Sequence, residues 1–183
     1  YTQFTLSGDQ SVLHPFKQGF SFRYYGITYT ECWVSANGFV SFGASDTGFP
    51  SPTISSARAG VPRIMSFYSD LVPEDTTYGT MTRIYAQQFR DGTGLMKVKI
   101  SHDHIAEFSN LSGPHGGEIV LTDNDDIAAF ELFDHGPPGV AFNPLDLTGM
   151  FFNPTHAVGS GIVFLKNPAA TNTTPGNSAY IIQ

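Results

Sequence analysis

Charged residues are scarce in this sequence, and cations are the scarcest. Asp, Glu, Lys and Arg make up 14% of the 183 residues, and only nine of these are Lys or Arg. The nine cations are dispersed, whereas phosphate contacts need clustered Lys and Arg, and the formal net charge is −7. The composition argues against a nucleic-acid partner and against binding to an anionic membrane surface. No apolar run approaches the roughly 18 residues of a membrane-spanning helix, so we expect no membrane span.

Cysteine is nearly absent, since Cys32 is the only one in the chain. A single cysteine excludes an internal disulfide and a cysteine-based zinc site. We interpret Cys32 as a small buried core residue.

Helical patterning and catalytic motifs are missing as well. No segment spaces its apolar residues three to four apart over a helical length. The sequence contains no Gly-x-Ser-x-Gly nucleophile elbow, phosphate-binding loop or dinucleotide fingerprint. We therefore predict no catalytic set and no required cofactor.

Aromatic residues and turn formers are abundant instead. Sixteen Phe and eight Tyr accompany 19 Gly and 12 Pro, which are spread along the whole length. Such a composition favours many short strands joined by turns. It predicts a single domain over residues 1–183, an all-β antiparallel sandwich of jelly-roll-like type with long loops and little helix.

The densest strand signals lie between Phe16 and Gly43. Phe20, Phe22 and Tyr24 are two residues apart, so an extended chain places them on one face. A turn at Tyr25-Gly26, a strand from Tyr29 to Ala36, a hairpin turn at Asn37-Gly38 and a return strand from Phe39 to Phe42 follow. We predict that these aromatics form the inner face of the sandwich.

Further strands are predicted where apolar and polar residues alternate or where short apolar runs end at turn residues. These are Tyr1–Leu6, Arg63–Asp70, Tyr78–Tyr85, Met96–Ser101, Glu118–Thr122, Ile127–Phe133, Gly161–Leu165 and Ala179–Ile182.

A composite aromatic and glycine pattern runs through the first of these regions. It consists of Phe20-Ser21-Phe22, Tyr24-Tyr25-Gly26, Tyr29 and Val34-Ser35-Ala36-Asn37-Gly38-Phe39-Val40-Ser41-Phe42-Gly43. The pattern resembles the opening of the nidogen-like extracellular domain, which is also found in secreted bacterial surface proteins. The resemblance covers about Phe16 to Gly139 and departs from the family at Ile100–Ile105, where the family usually has a Trp. It implies a sandwich fold and an extracellular or cell-surface location.

Two groups of carboxylates are candidate calcium ligands, because calcium prefers hard oxygen donors. They are Asp123, Asp125 and Asp126 at a predicted hairpin tip, and Asp70, Glu74 and Asp75 after a predicted strand. Neither group matches an EF-hand loop, and a solvated acidic turn is the alternative interpretation. Calcium is therefore a possible but not a required cofactor.

His102 and His104 are candidate ligands for a transition metal. In a regular strand both imidazoles point to the same face, and a third ligand from His115, Glu107 or His135 would complete a site. Surface histidines near a strand end are the alternative interpretation.

Two other short motifs carry possible chemistry. Asp46-Thr47-Gly48 is the triplet of aspartic proteases, but their mechanism needs two such carboxylates and the chain holds one copy, so an ordinary Asp-x-Gly turn is the alternative. Asn110 and Asn172 begin N-glycosylation sequons.

Three functional hypotheses follow. The first is a noncatalytic, secreted or cell-surface structural or adhesive module that self-assembles into a filament or matrix by exchanging a terminal strand. The candidate donor is Tyr1–Leu6, which begins at Tyr1 and places Thr2, Phe4 and Leu6 on one face. Its partners would be copies of itself, other extracellular proteins or glycans.

The second hypothesis is a calcium-assisted carbohydrate-binding module. Its candidate sugar-stacking rings are Tyr24, Tyr25, Trp33, Tyr68 and Tyr78. The third is a metal-dependent hydrolase built on His102 and His104.

Overall fold

The computed structural model describes residues 1–17, 19–24, 26–49, 60–66, 68–77, 83–108, 111, 115–123, 128–134, 147–151, 161–165 and 177–181. Within these residues every helix or strand element is a strand, and every strand pair is antiparallel. The strands are β1 (Thr2–Phe4), β2 (Ser11–Pro15), β3 (Phe22–Tyr24), β4 (Ile27–Tyr29), β5 (Glu31–Ser35), β6 (Phe39–Ser41), β7 (Arg63–Met65), β8 (Leu71–Val72), β9 (Arg83–Arg90), β10 (Met96–Glu107), β11 (His115–Thr122), β12 (Ala128–Asp134), β13 (Leu147–Phe151), β14 (Gly161–Leu165) and β15 (Asn177–Ile181).

Most strands belong to two large sheets. The larger sheet has the order β1-β9-β10-β11-β12-β15, with β8 also paired to the end of β10, and the smaller sheet has the order β14-β13-β7-β6-β5-β2. β3 and β4 form a separate hairpin. The first and last strands in sequence, β1 and β15, are thus the two edges of the larger sheet.

One hydrophobic core joins the two sheets. Buried residues of the larger sheet, such as Ile84 and Ile100, belong to the same cluster as Val34 and Ile64 of the smaller sheet. Since each sheet buries one face against the other, the arrangement is a β-sandwich, and the all-β antiparallel prediction is confirmed. The jelly-roll-like connectivity and the single-domain assignment stay predictions.

The aromatics of the Phe16–Gly43 stretch lie in this core, as the alternation predicts. Phe22 and Tyr24 are buried, and their ring centroids lie 5.6 Å and 5.0 Å from that of Phe42. Such offset and tilted ring pairs add a favourable electrostatic term to the burial of apolar area.

The predicted strand from Tyr29 to Ala36 corresponds to β5, while Tyr29 is the last residue of β4, which begins at Ile27, because the chain changes partner at Thr30. Before this residue β4 pairs with β3, and after it β5 pairs with β2. The Thr30 carbonyl accepts a hydrogen bond from the Phe16 N–H at 2.8 Å. The hairpin at Asn37-Gly38 is confirmed: β5 and β6 pair on either side of it, and Gly38 takes a φ of +83°.

Three strands escape the sequence patterns. β2 ends in Pro15, which is tolerated because β2 is an edge strand of the smaller sheet. β8 has two residues, and β13 lies in sequence between two Phe-Asn-Pro triplets, Phe142-Asn143-Pro144 and Phe152-Asn153-Pro154. The predicted Arg63–Asp70 strand ends at Met65, although the Ser66 N–H still donates to the Gly38 carbonyl, which precedes β6, at 3.2 Å.

Candidate functional site

His102 links the two sheets inside the core. Its side chain is fully buried in β10, and its Nε2–H donates to the carbonyl of Ser35, at the end of β5, over 2.7 Å. Burial lowers the pKa of His102 from 6.5 to about 4, because the charged imidazolium loses its hydration. At neutral pH His102 is therefore an uncharged hydrogen-bond donor that joins the sheets.

His104 lies in different surroundings from His102. The β10–β11 register shifts between His102 and Ile105, and His104 takes a φ of +57°. Its partly exposed ring contacts the Asp103 carboxylate, with 2.6 Å between Nδ1 and Oδ1. The regular alternation that was expected to place both imidazoles on one face is broken by this bulge. The described residues contain no group of three or more His, Cys, Asp or Glu suited to hold a metal ion.

Asn37 is a second buried polar link, and the sequence reasoning treated it only as a turn former. Its Nδ2 donates to Asp9 Oδ1 at 2.9 Å, and its Oδ1 accepts the backbone N–H of Leu71 at 2.9 Å. Its own N–H donates to Ser35 Oγ at 3.1 Å. Asn37 thereby ties the chain before β2, the β5–β6 turn and β8 together.

The predicted calcium ligands are distributed over separate places. Hydrogen bonds from the Thr77 side chain and, at 2.8 Å, from the Thr77 N–H lower the pKa of Asp75. Asp123 accepts the Ser21 N–H at 3.0 Å. Asp70 and Glu74 line one cavity, described below. Asp125 and Asp126 lie outside the described residues. Calcium binding stays a prediction.

Asp46 forms an ion pair and not a catalytic dyad. Its carboxylate pairs with the guanidinium of Arg63, a buried residue whose guanidinium carbon lies 5.5 Å from the ring centroids of Phe39 and Tyr68. The Gly48 N–H donates to Asp46 Oδ1 at 3.2 Å, which is the geometry of an Asp-x-Gly turn.

Several other candidate residues are placed as follows. Tyr24 and Tyr68 are buried and so offer no ring face to a sugar, while Trp33 is half-buried. Tyr25, Tyr78, Asn110, Asn172 and His135 lie outside the described residues. Cys32 is fully buried, as predicted, and burial raises the pKa of its thiol.

The predicted donor strand occupies an edge of the larger sheet. β1 pairs with β9 through three residues, with Thr2 opposite Ala86, Gln3 opposite Tyr85 and Phe4 opposite Ile84. The opposite pairs alternate between the core face and the outer face of the sheet.

Two side chains anchor this strand in the core. Phe4 and Leu6 are buried, whereas Thr2 and Tyr1 are exposed, and the Tyr1 ring rests 5.3 Å from that of Tyr85. The His14 ring meets Phe4 edge-on at 5.5 Å, and burial, helped by Lys17 and the terminal amino group, lowers the pKa of His14. Burying two apolar side chains of this size contributes roughly 3–6 kcal/mol in total.

A compact turn connects β1 with β2. The Gln10 N–H donates to the Ser7 carbonyl at 3.2 Å, and the Ser7 N–H donates to Gln10 Oε1 at 3.0 Å. The Gly8 N–H reaches both carboxylate oxygens of Glu74, at 3.1 and 3.0 Å. We call residues 7–10 the hinge segment, since they follow the buried Leu6 and carry the chain from the larger sheet to the smaller one.

The described structure thus defines an antiparallel β-sandwich protein. Residues 1–86 match a family model described as NIDO related. The N-terminal part of the chain is therefore nidogen-like, as the aromatic pattern predicts. Neither the curated proteins nor the solved structures gave a match.

The match over residues 1–86 bears on the location and general role of the protein. Nidogen-related domains are typically extracellular, the nidogen-like family is in general non-enzymatic, and the match suggests an extracellular structural module. Within the described residues, no helix has the length and apolar character needed to cross a membrane.

Proposed function

We propose that this protein is a secreted or cell-surface, noncatalytic structural module that self-assembles by exchanging its N-terminal strand. The observation that carries the proposal is the position of β1, a three-residue edge strand anchored by Phe4 and Leu6. Edge strands present unpaired backbone groups, and an edge that loses its own strand accepts an equivalent strand from another chain.

The energetics favour exchange over simple detachment. A detached β1 exposes Phe4 and Leu6 to water, but an exchanged β1 buries them in the core of a second chain. The contacts are the same in both states, so the equilibrium depends on the hinge segment and on protein concentration. Because exchange restores the burial of Phe4 and Leu6, its net cost lies in the few hinge bonds, those from the Gly8 N–H to the Glu74 carboxylate.

The architecture of the assembly depends on how the exchange closes. Two chains that exchange strands with each other form a closed dimer, whereas each chain donating to the next forms an open filament or matrix. Adhesion would then arise from repeated display of the same surface on the assembly.

Removal of residues 1–6 tests the proposal. The full chain is expected to form oligomers whose mass, measured by light scattering after size separation, rises with concentration. The truncated chain is expected to stay monomeric because it has no strand to donate. A synthetic peptide of residues 1–10 added to the truncated chain should bind to the open edge of the larger sheet, in the place of β1.

A matched peptide carrying Phe4→Ser and Leu6→Ser is the control, since it keeps the backbone donors but loses both anchors. It is expected to bind at least tenfold more weakly. A full chain that is a strict monomer at the highest attainable concentration, or oligomers unchanged by the truncation, would contradict the proposal.

A further inference from the structure

A cavity of about 340 Å³ opens beside the hinge segment, where β8 meets the end of β10. Leu71 and Val72 of β8 form part of its wall, and most of the lining is apolar. Phe49 and Phe108 also line it, although 67% and 66% of their surfaces are exposed to solvent. Two large exposed rings on one cavity are an apolar surface that a partner would cover.

Three carboxylates line the same cavity, those of Asp9, Asp70 and Glu74. Asn37 Nδ2 donates a hydrogen bond to the Asp9 carboxylate, and the Gly8 N–H donates to the Glu74 carboxylate. These bonds fix the orientation of both carboxylates. Within the described part of the chain, neither these two nor Asp70 forms an ion pair with Lys, Arg or His. Among the described residues, the cavity therefore carries three carboxylates and no cation paired with them.

The charge is costly to the free protein. Burial raises the pKa of Asp70, and the neighbouring carboxylates of Asp9 and Glu107 raise it further. A bound cation would remove this repulsion, so the cavity favours a positively charged occupant.

We propose that this cavity is a docking site for an arginine side chain presented by a partner protein. A guanidinium is planar and weakly hydrated, so it stacks on phenyl rings such as Phe49 and Phe108 while its N–H groups reach carboxylates on the rim. The cavity shares Gly8 and Asp9 with the hinge segment, but the inference does not require strand exchange, since it is argued for the chain with β1 in its own sheet.

A calcium ion fits this cavity less well than a guanidinium. Calcium takes six to eight oxygen ligands, whereas the cavity is walled largely by apolar side chains. Two of its three carboxylates already accept N–H donors. Charge complementarity with a protein of net charge −7 also favours a basic partner segment.

The test is a titration of the isotope-labelled full chain with the blocked peptide acetyl-Gly-Arg-Gly-amide, followed by NMR. The expected result is saturable shifts of the amides of Gly8, Asp9, Leu71 and Val72. The matched peptide with citrulline, which keeps the shape of arginine but is uncharged, is expected to bind about tenfold more weakly.

Variants locate the interaction in the cavity. Asp70→Asn and the double variant Phe49→Ala/Phe108→Ala are each expected to weaken arginine-peptide binding at least fivefold. Asp70→Asn is expected to fold, because it removes a charge that burial disfavours. Asp75→Asn is the matched control: it removes the same charge one residue from Glu74 but outside the cavity lining, and binding should stay within twofold.

Four outcomes would overturn the proposal. Equal binding of the arginine and citrulline peptides would show that charge has no role. An effect of Asp75→Asn equal to that of Asp70→Asn would show that binding depends on the overall charge of the protein and not on the cavity. Displacement of the peptide by one stoichiometric calcium ion would make the cavity a metal site. Shifts of the same amides with protein concentration alone would assign the cavity to a second copy of the chain.

Discussion

Two regions of the molecule are held in place by different kinds of interaction. One is the link between the two sheets, formed by His102 and Asn37, and the other is the N-terminal strand β1. At the link, His102 and Asn37 make buried, directional hydrogen bonds to Ser35, Asp9 and Leu71. The N-terminal strand relies on three backbone pairs at a sheet edge and on two apolar anchors.

This difference separates the fixed part of the fold from the part that can exchange. A buried polar bond has one geometry, and breaking it leaves an unsatisfied group at a cost of about 1–3 kcal/mol. Apolar burial is non-directional, and an equivalent strand from another copy restores it in full. We therefore expect that damage to the link destabilises every molecule, whereas damage to β1 changes mainly its docking and assembly.

The largest effect is expected from Asn37→Ala. The substitution leaves the buried Leu71 N–H without an acceptor and Asp9 without its donor, so the free energy of unfolding should fall by about 4 kcal/mol. Denaturant unfolding measures it. Asn37→Asp is the matched variant: it keeps the acceptor for Leu71 but sets a carboxylate against that of Asp9, so it should not recover the loss at neutral pH. A loss below about 1 kcal/mol for Asn37→Ala would show that the link is not a main support of the fold.

The next effect is a pH dependence of stability that arises from His102. Its pKa is lower in the folded state, about 4, than the ordinary 6.5, so the folded protein binds fewer protons between these values. Stability should therefore fall as the pH falls from 6.5 towards 4, by the order of 3 kcal/mol. Denaturant unfolding at several pH values measures the slope.

Two histidine variants assign this slope. His102→Gln should flatten it, whereas His14→Gln should remove a smaller part, since His14 also has a lowered pKa but keeps 7% of its surface exposed, against 0% for His102. An undiminished slope in His102→Gln would place the titrating group elsewhere.

The smallest effect on stability is expected from Phe4→Ala, which weakens only the edge strand. The loss should be about 2 kcal/mol, the burial free energy of one such side chain. Hydrogen exchange should speed up at the β9 residues opposite β1, from Ile84 to Ala86, while β10 stays protected. Gln3→Ala, an outward-facing change on the same strand, is the control and should leave exchange unaltered. Faster exchange throughout the sandwich in Phe4→Ala would mean that β1 is part of the fixed core.

The sequence predicts the inner face of the sandwich well, because residues two apart in a strand always point to the same face of the sheet. Phe20, Phe22 and Tyr24 had to share a face, and Gly38 had to supply the positive φ of a turn. These features depend only on the local chain, so a pattern within ten residues is enough to find them.

The link and the cavity could not be predicted, because they depend on contacts between distant segments. Nothing near Asn37 in sequence indicates that Asp9 and Leu71 will meet it. His102 appeared to be a surface or metal-binding residue because its pairing with His104 assumed a regular strand, and the bulge in β10 has no sequence signal. Asp70 was grouped with its neighbours in sequence, whereas Asp9, its partner in space, is 61 residues away.

Strand exchange itself is tested most directly by a cysteine pair that reports which chain β1 occupies. Gln3 and Tyr85 lie opposite each other on the outer face of the sheet, and opposite Cα atoms in antiparallel strands are about 4.5–5.5 Å apart, within the span of a disulfide. The native thiol of Cys32 is buried, so it does not compete.

The measurement is a nonreducing gel of the Gln3→Cys/Tyr85→Cys variant, oxidised at low and at high protein concentration. The account predicts a monomer with an internal disulfide at low concentration, and covalent dimers and higher multimers at high concentration, all of which return to monomer with reductant. An internal disulfide in every chain, at the highest concentration and in material shown by light scattering to be oligomeric, would contradict it.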